Sequence, residues 1–513
     1  MGNSRTKNSI LNMTASVGYQ LLNLVLSFVS RTVFLQVLGV GYLGINGLFS
    51  DVLSMLNMAE LGIGTAMTYS MYKPLAENDQ ETLVGLTHFY KKVYRIIALT
   101  IAIIGVALVP FLPHLINLEQ DIPHVELYYL LFLAGNVASY FVVSKTTVLY
   151  ADQKNYIMLQ HGTVWHTAEV ITMLLVLWAT KNYILYLLTQ LAFIYGRNFY
   201  MSHLATKHYP YIKKKVMLPK EKTKGIFKDI GSSFLYKIAN VLITATDNTL
   251  ISVLVSTEMV GYYSNYGIIV GKLSNLIGTL FSSLIASLGN LIAKESAEKR
   301  YQVFQTMQSL SFIISTFCVT CLAILEDDFI RVWLGEEYLL SSLTLVAIVL
   351  NFYFVIAMKP VTAFREAAGL FRKTKFIVLW TAGLNIAFSV VLGKILGLPG
   401  ILLATSLSKL MTCFWFEPKL LFQDYFEKPS RFYFLDMARN VIILGVSITT
   451  AWGITQWLVP QNWLQLIGKG IMVALSSMVV IVICYHRTQG YVLLSERCKS
   501  LLNGVINRTR YKK

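Results

Sequence analysis

Polar and charged side chains lie at helical spacing inside stretches that are otherwise apolar. The first line of them advances in steps of three or four residues and consists of Asn12, Ser16, Gln20, Asn23, Ser27 and Arg31. On an α-helix this spacing places all six side chains on one face. A helix that is apolar apart from one polar line is typical of a membrane span whose polar face meets other protein or water.

Further charged residues occur inside apolar stretches, where burial in lipid would be costly. Arg31, Lys237 and Lys272 are candidate ligands for an anion. Lys272 also begins a second polar line, which continues with Asn275, Thr279, Ser283, Ser287 and Asn290. The acids Asp51, Glu60 and Asp247 are candidates to bind a coupling proton or Na⁺, or to neutralise Arg31. Two other interpretations remain open for the cations: snorkelling to the interface, or an ion pair with Asp247.

Other chemically active residues suggest simpler roles. Lys145, Arg197, Lys359, Arg365 and Lys409 stand nearer the ends of apolar stretches, so we interpret them as interfacial cations. His161, His166 and Glu169 share one stretch, but two imidazoles five residues apart and one carboxylate make a weak metal motif. Cys318 and Cys321 form a CxxC inside an apolar stretch without a second pair, which favours buried thiols. We therefore predict neither metal nor cofactor.

The composition identifies the class of protein. Of the 513 residues 55% are hydrophobic and only 14% are charged, whereas soluble domains carry about 25% charged residues. The sequence thus predicts an all-α integral membrane protein. The net charge of +17 does not indicate nucleic-acid binding, because the Lys and Arg residues cluster between apolar spans. We expect no cleavable signal peptide, since the first apolar stretch is too long and lacks a cleavage site.

Apolar runs long enough to cross a bilayer number about fourteen. The predicted spans are 9–38, 42–72, 86–113, 122–150, 155–180, 182–205, 226–256, 259–292, 301–325, 338–364, 374–396, 399–422, 432–458 and 463–486. Lys and Arg collect in alternate connections, which places both termini in the cytoplasm by the positive-inside rule. The acidic run 326–328 falls in a predicted external connection.

An internal repeat divides the chain. Gly44 and Gly261 lie in similar motifs 217 residues apart (261 − 44), and this shift maps the six residues of the first polar line onto Asp229, Ser233, Lys237, Asn240, Thr244 and Asn248. All six images are polar, so the repeat is predicted to be parallel, with a binding cleft between two six-helix lobes. The predicted divisions are an N-lobe (1–206), a basic cytoplasmic linker (207–225), a C-lobe (226–425), two additional helices (426–490) and a basic cytoplasmic tail (491–513).

Several motifs resemble those of one transporter family. A lone Arg31 late in the first span is followed by LGVGYLGINGLF, AELGIGTAMTYSMYKPLAEND, YADQKNY and AFREAAGLFRKTKF. Together they resemble the Wzx-type polysaccharide flippases of the multidrug/oligosaccharidyl-lipid/polysaccharide exporter superfamily. The resemblance extends from Ser4 to about Phe426 and implies two lobes around a cavity that opens to one side at a time.

The resemblance implies a transporter, not an enzyme, in the bacterial cytoplasmic membrane. Its cargo would be an undecaprenyl-diphosphate-linked oligosaccharide for capsular or exopolysaccharide biosynthesis, and its further partners other polysaccharide-assembly membrane proteins. Such a cargo needs cations for the diphosphate, so the expected cavity residues are Arg31, Lys237, Lys272, Gln20, Asn23, Ser27, Asn240, Thr244 and Asn248. The alternatives are a cation-coupled multidrug exporter of the same superfamily and an integral-membrane polysaccharide polymerase or glycosyltransferase.

Overall fold

The structure, a computed structural model, describes residues 2–60, 63–119, 122–214, 216 and 231–496. Asp229, most of the predicted linker and the tail beyond residue 496 lie outside the described residues, as do the side chains of Asn12, Ser233 and Ser287. The secondary structure of the described chain consists of helices joined by turns and short irregular segments, and several of the helices are long and apolar enough to span a membrane. The predicted all-α membrane fold is confirmed.

The chain forms two compact units, residues 1–264 and 265–513. The first unit is built from long helices joined by short turns. Gly39, at φ 84°, separates the first two helices in a conformation that favours glycine, and the Asp79 carboxylate caps another by accepting from the Thr82 amide at 2.9 Å. Its helices are α1 (Gly2–Leu38), α2 (Val40–Leu56), α3 (Ile63–Glu77), α4 (Gln80–Ala107), α5 (Leu112–Leu115), α6 (Val125–Ala151), α7 (Asn155–Thr180), α8 (Tyr183–His208), α9 (Gly231–Thr244) and α10 (Asp247–Leu254).

The second unit begins within α11 (Thr257–Ser282). Its core is an aromatic cluster in which the fully buried Phe304, Phe364 and Phe422 pack edge to face. The remaining helices are α12 (Ile285–Lys294), α13 (Ala297–Trp333), α14 (Ser342–Ala357), α15 (Lys359–Ala367), α16 (Phe371–Leu396), α17 (Leu398–Met411), α18 (Cys413–Leu421), α19 (Arg431–Thr455) and α20 (Trp463–Tyr485). A π-helical turn, Phe422–Phe426, extends α18.

Each of the fourteen predicted spans coincides with one helix or with consecutive helices in the described chain. Within the described residues, ten segments are long and apolar enough to span a membrane on their own. The helix α13 continues to Trp333 and so includes the acidic run 326–328, which we predicted to fall in an external connection. Glu326 and Asp328 are buried there, which an apolarity threshold could not anticipate.

The two repeat-related glycines, Gly44 of α2 and Gly261 of α11, meet in the first unit. A Cβ added to Gly261 would lie 2.4 Å from the Val40 carbonyl oxygen, and one added to Gly44 would lie 1.9 Å from that of Thr257. Only glycine permits backbones to approach so closely. Contact between equivalent positions is what a parallel repeat predicts where its copies meet near the pseudo-axis.

Candidate functional site

The polar line of α1 lies against the interior of the first unit. Asn23 Nδ2 donates to His166 Nε2 of α7 at 3.1 Å, and Ser27 Oγ donates to the Asn23 carbonyl at 2.6 Å. Gln20 Nε2 donates to Ser16 Oγ at 3.4 Å. The apolar neighbours Leu21 and Val25 are exposed, at 61% and 59%. The described part of the line therefore has protein partners, and α1 presents its apolar side outward.

Arg31 ends this line in an unusual environment. Its Nη1 donates to Ser264 Oγ of α11 at 2.7 Å, and the nearby Tyr186 of α8 interacts with it electrostatically. Within the described residues Arg31 has no carboxylate within 4.0 Å, so the ion pair with Asp247 that we considered is not formed. A guanidinium bonded to a neutral hydroxyl keeps most of its five donors for another acceptor.

The polar line continues into a group of polar and charged side chains on α7 and α8. His166 Nδ1 lies 3.6 Å from a carboxylate oxygen of the buried Glu169, and Arg197 Nη1 lies 3.9 Å from the same oxygen. His161 instead pairs with the Tyr200 hydroxyl at 3.0 Å. No group of three potential metal ligands occurs in the described chain. The helical spacing of His166 and Glu169 thus builds an internal network that reaches Asn23.

The span that carries the repeat image of the polar line is interrupted. The α-helix ends at Thr244 and restarts at Asp247, although we predicted one span over 226–256. Asp51 of α2 caps the new N-terminus, where its Oδ2 accepts from the Asn248 amide at 3.1 Å. A carboxylate is favourable there because the helix dipole places positive charge at the N-terminus. The sequence Thr246–Asp247–Asn248 carries N-cap residue types that signal such a start.

The other predicted residues of this image lie on both sides of the break. Thr244 is exposed, and its hydroxyl donates to the Asn240 carbonyl at 3.0 Å. Lys237, Asn240, Asp247 and Asn248 are half-buried. Discontinuous membrane helices of this kind line substrate and ion sites in transporters.

Glu60 lies at a second interruption, which falls within the predicted span 42–72. The chain leaves α2 at Leu56 and forms a 3₁₀ turn, Asn57–Glu60, where Tyr94 donates to Glu60 Oε1 at 3.4 Å. Tyr140 donates to the Asn57 side chain at 2.8 Å. Glu60 therefore accepts from one tyrosine hydroxyl and is half-buried.

The polar line of the second unit differs from that of α1. Lys272 is half-buried, whereas Asn275, Thr279, Ser283 and Asn290 are exposed. The Thr279 and Ser283 hydroxyls donate to backbone carbonyls of α11 at 2.9 and 2.7 Å. Exposed Leu276 and Leu280 alternate with them, so this face is mixed in polarity.

The structure also brings Lys145, which we had interpreted as an interfacial cation, within electrostatic range of two other lysines. Lys145 of α6 donates to Ser202 Oγ of α8 at 2.7 Å and interacts electrostatically with Lys91 and Lys213. These lysines come from three separate parts of the sequence. Spacing could not predict their proximity, although Lys91 and Lys213 each belong to a basic cluster on the predicted cytoplasmic side.

One acid that the sequence did not single out is Glu326 of the second unit. It is 2% exposed, and neither carboxylate oxygen has a hydrogen-bond partner in the described chain. Its neighbours are engaged: Asp327 accepts from Tyr266 at 2.8 Å, and Asp328 accepts from Lys469 at 2.6 Å. The signal was an acidic run at the end of an apolar stretch.

The sequence matches no protein-family model and no curated protein. Among solved structures the chain is similar to the lipid II flippase MurJ in an inward closed conformation, with TM-score 0.67, 15% identity and coverage of 93% of this chain and 99% of that one. It is also similar to multidrug resistance MATE transporters of the MOP superfamily. For an inward-facing one the TM-score is 0.60 and the identity 15%, with coverage of 77% of this chain and 93% of that one. For an outward-facing one the TM-score is 0.54 and the identity 14%, with coverage of 80% of this chain and 94% of that one. The chain therefore has the two-lobed, all-α fold of these membrane transporters.

Proposed function

We propose that the protein is a flippase that moves undecaprenyl-diphosphate-linked oligosaccharide repeat units across the bacterial cytoplasmic membrane, for capsular or exopolysaccharide biosynthesis. The observation that carries this proposal is Arg31, an intramembrane guanidinium whose hydrogen-bond partner is a neutral serine. A cation at this depth is costly unless it serves an anion. A diphosphate supplies that anion.

The electrostatics favour a diphosphate at Arg31. Two unit charges 4 Å apart attract by about 4 kcal/mol at an effective dielectric constant of 20, against about 1 kcal/mol in water. The planar guanidinium also matches phosphate oxygens in a bidentate manner. The polar groups at Asn23 and Ser27 continue from Arg31 along α1 and offer hydrogen bonds of the kind that sugar hydroxyls accept and donate.

The extent of the fold likeness supports a lipid-linked cargo. The lipid II flippase overlaps 93% of this chain, whereas the two MATE transporters overlap 77% and 80%. Lys91, Lys145 and Lys213 would attract the diphosphate on the cytoplasmic side. Alternating access between the lobes would then carry it past Arg31 and Lys237 to the other leaflet.

The test combines gene deletion with complementation. Cells without the gene should accumulate completed lipid-linked repeat units on the inner leaflet, and the wild-type gene should restore export. Arg31→Gln should reduce export at least about tenfold at equal protein in the membrane, and Arg31→Lys should retain part of it, because a point charge replaces a bidentate one. Arg95→Gln is the matched control, since Arg95 is exposed on α4. Wild-type export by Arg31→Gln would refute the assignment.

The second candidate is a cation-coupled multidrug exporter, which the buried Glu326 and the MATE likeness favour. An unpartnered intramembrane carboxylate is the group that binds a coupling proton or Na⁺. Expression in a drug-sensitive host distinguishes the two functions. Resistance that is lost in Glu326→Gln and kept in Arg31→Gln would favour the exporter.

A further inference from the structure

A polar cavity lies in the second unit, apart from the proposed transport residues. It has a volume of about 200 Å³ and is lined by Gln305, Gln308 and Ser309 of α13, by Asp436 and Arg439 of α19, and by Thr488 after α20. This volume corresponds to roughly six or seven liquid waters, enough for a small polar headgroup.

The walls of the cavity are fixed by close packing. The chain turns after α20 and is helical again over 489–496. Gly490 packs so tightly on α13 that a Cβ would lie 2.1 Å from Ser309 Oγ and 2.6 Å from the Gln305 carbonyl oxygen. The hydroxyl of Tyr485, which also lines the cavity, accepts from the buried Asn440 side chain. The cavity is thus part of the packed fold.

Two buried amide groups at the cavity have unused hydrogen-bonding capacity. Gln308 is 3% exposed, and its Nε2 has no hydrogen-bond partner in the described chain. The Oε1 atom of Gln305 is likewise buried without a partner there. Because buried polar atoms are normally hydrogen-bonded, rotation of these two side chains toward the cavity would be favoured by a ligand that offers an acceptor to Gln308 and a donor to Gln305.

The charges at the cavity have opposite signs. Arg439 is exposed, and Asp436, which is half-buried, interacts with it electrostatically. Arg439 Nη2 donates to the Cys484 carbonyl at 3.4 Å. A ligand with both a negative and a positive group would complement this pair, whereas a purely anionic ligand would meet the Asp436 carboxylate.

The depth of the cavity matches the headgroup layer. Asp436 and Arg439 lie five and eight residues after Arg431, the first residue of α19, which is about 8–12 Å along the helix. Tyr485 is the last residue of α20, and His486 and Arg487 follow it. Basic residues beside the ends of spanning helices mark the cytoplasmic interface under the positive-inside rule.

We propose that this cavity binds the zwitterionic headgroup of a phosphatidylethanolamine-type phospholipid from the cytoplasmic leaflet. The phosphate accepts from Arg439 and from Gln308 Nε2. The ammonium donates to the Asp436 carboxylate and to Gln305 Oε1. A choline headgroup lacks N–H donors for these oxygens, and a glycerol headgroup lacks the positive charge.

The test is native mass spectrometry of the purified full-length protein, incubated with phosphatidylethanolamine, phosphatidylglycerol or phosphatidylcholine of identical acyl chains. The wild type should retain the ethanolamine lipid at least about fivefold over the other two, because only this headgroup satisfies both charges. Inorganic phosphate at millimolar concentration should not displace it. Displacement would show that the cavity recognises phosphate alone and would overturn the ethanolamine assignment.

The variants separate the two charges. Asp436→Asn should equalise retention of the ethanolamine and glycerol lipids, and Arg439→Gln should lower retention of all three. Arg431→Gln is the matched control, because Arg431 is exposed at the start of α19 and stacks on Phe432 outside the cavity. If Asp436→Asn keeps the wild-type preference, or if the wild type shows no preference, the proposal is wrong. This readout does not depend on transport, so it fails or succeeds separately from the flippase assignment.

Discussion

Arg31 of the first unit and Arg365 of the second are both arginines in membrane helices, but their partners differ. Arg31 is half-buried and donates to the Ser264 hydroxyl. Arg365 is 3% exposed and forms an ion pair with Glu417, which is equally buried. The interfacial position of Arg365 stays a prediction, but its buried carboxylate partner on another helix was not predicted. The comparison shows that the function of an intramembrane charge can be inferred only after its hydrogen-bond and ion-pair partners are known.

The strongest test of this comparison is the Arg365–Glu417 pair. Glu417→Leu should cost about 3–5 kcal/mol of stability, because it removes the buried carboxylate of Arg365 and leaves only that of the more exposed Glu366, 3.5 Å away. The double variant Arg365→Met with Glu417→Leu should recover much of the loss, since no charge then remains buried. Thermal unfolding of the purified protein measures both effects.

The control for this pair is Asp424→Asn. Asp424 pairs with Lys373 at 2.6 Å, but the Lys373 side chain is 58% exposed, so the expected cost is about 0–1 kcal/mol. A loss for Glu417→Leu no larger than for Asp424→Asn would mean that Arg365 is not held by its partner. The contrast with Arg31 would then disappear.

A smaller effect is expected at Asp328, which has two cations. Its oxygens lie 2.6 Å from Lys469 Nζ and 2.7 Å from Arg331 Nη1. Lys469→Met should cost about 1–3 kcal/mol, because Arg331 still pairs with the carboxylate. Unfolding measured in parallel with Glu417→Leu checks the order, and a loss as large as that of Glu417→Leu would show that Arg331 does not compensate.

Cysteine labelling tests the first unit most directly, and its substitutions are expected to change stability least. In a background without the five native cysteines, single cysteines at Thr244, Asn240, Ser27 and Asn23 should react with a hydrophilic thiol reagent, because it reacts with water-exposed thiolates. Thr244→Cys should react fastest, since Thr244 is exposed and the other three are half-buried. Leu24→Cys and Leu242→Cys are the controls.

Labelling also tests whether the polar line faces water or only protein. Asn23 bonds to His166, so packing within the unit satisfies part of the line. If none of the polar positions reacts faster than its apolar neighbour, the line is structural and the cavity assignment fails.

The sequence predicted the helices well and their interruptions poorly. Long apolar runs form helices because a bilayer leaves backbone groups no other partner. The break at Ala245–Thr246 has no counterpart at the equivalent positions Phe28 and Val29, where α1 is continuous, so the repeat alone did not reveal it. It depends on Asp51, which caps the new helix from nearly two hundred residues away.

The sequence by itself determined which residues are polar in an apolar setting, and with them the membrane class, the spans and the repeat. These follow from the local composition and from the spacing of polar and apolar residues, which can be read from a short stretch of sequence. Only the tertiary structure decided what each charge does. Arg31 meets Ser264 across 233 positions of sequence, whereas Arg365 meets Glu417 across 52. The role of an intramembrane charge depends on the few groups within about 4 Å of it. The tertiary fold, and not the sequence spacing, determines which groups those are.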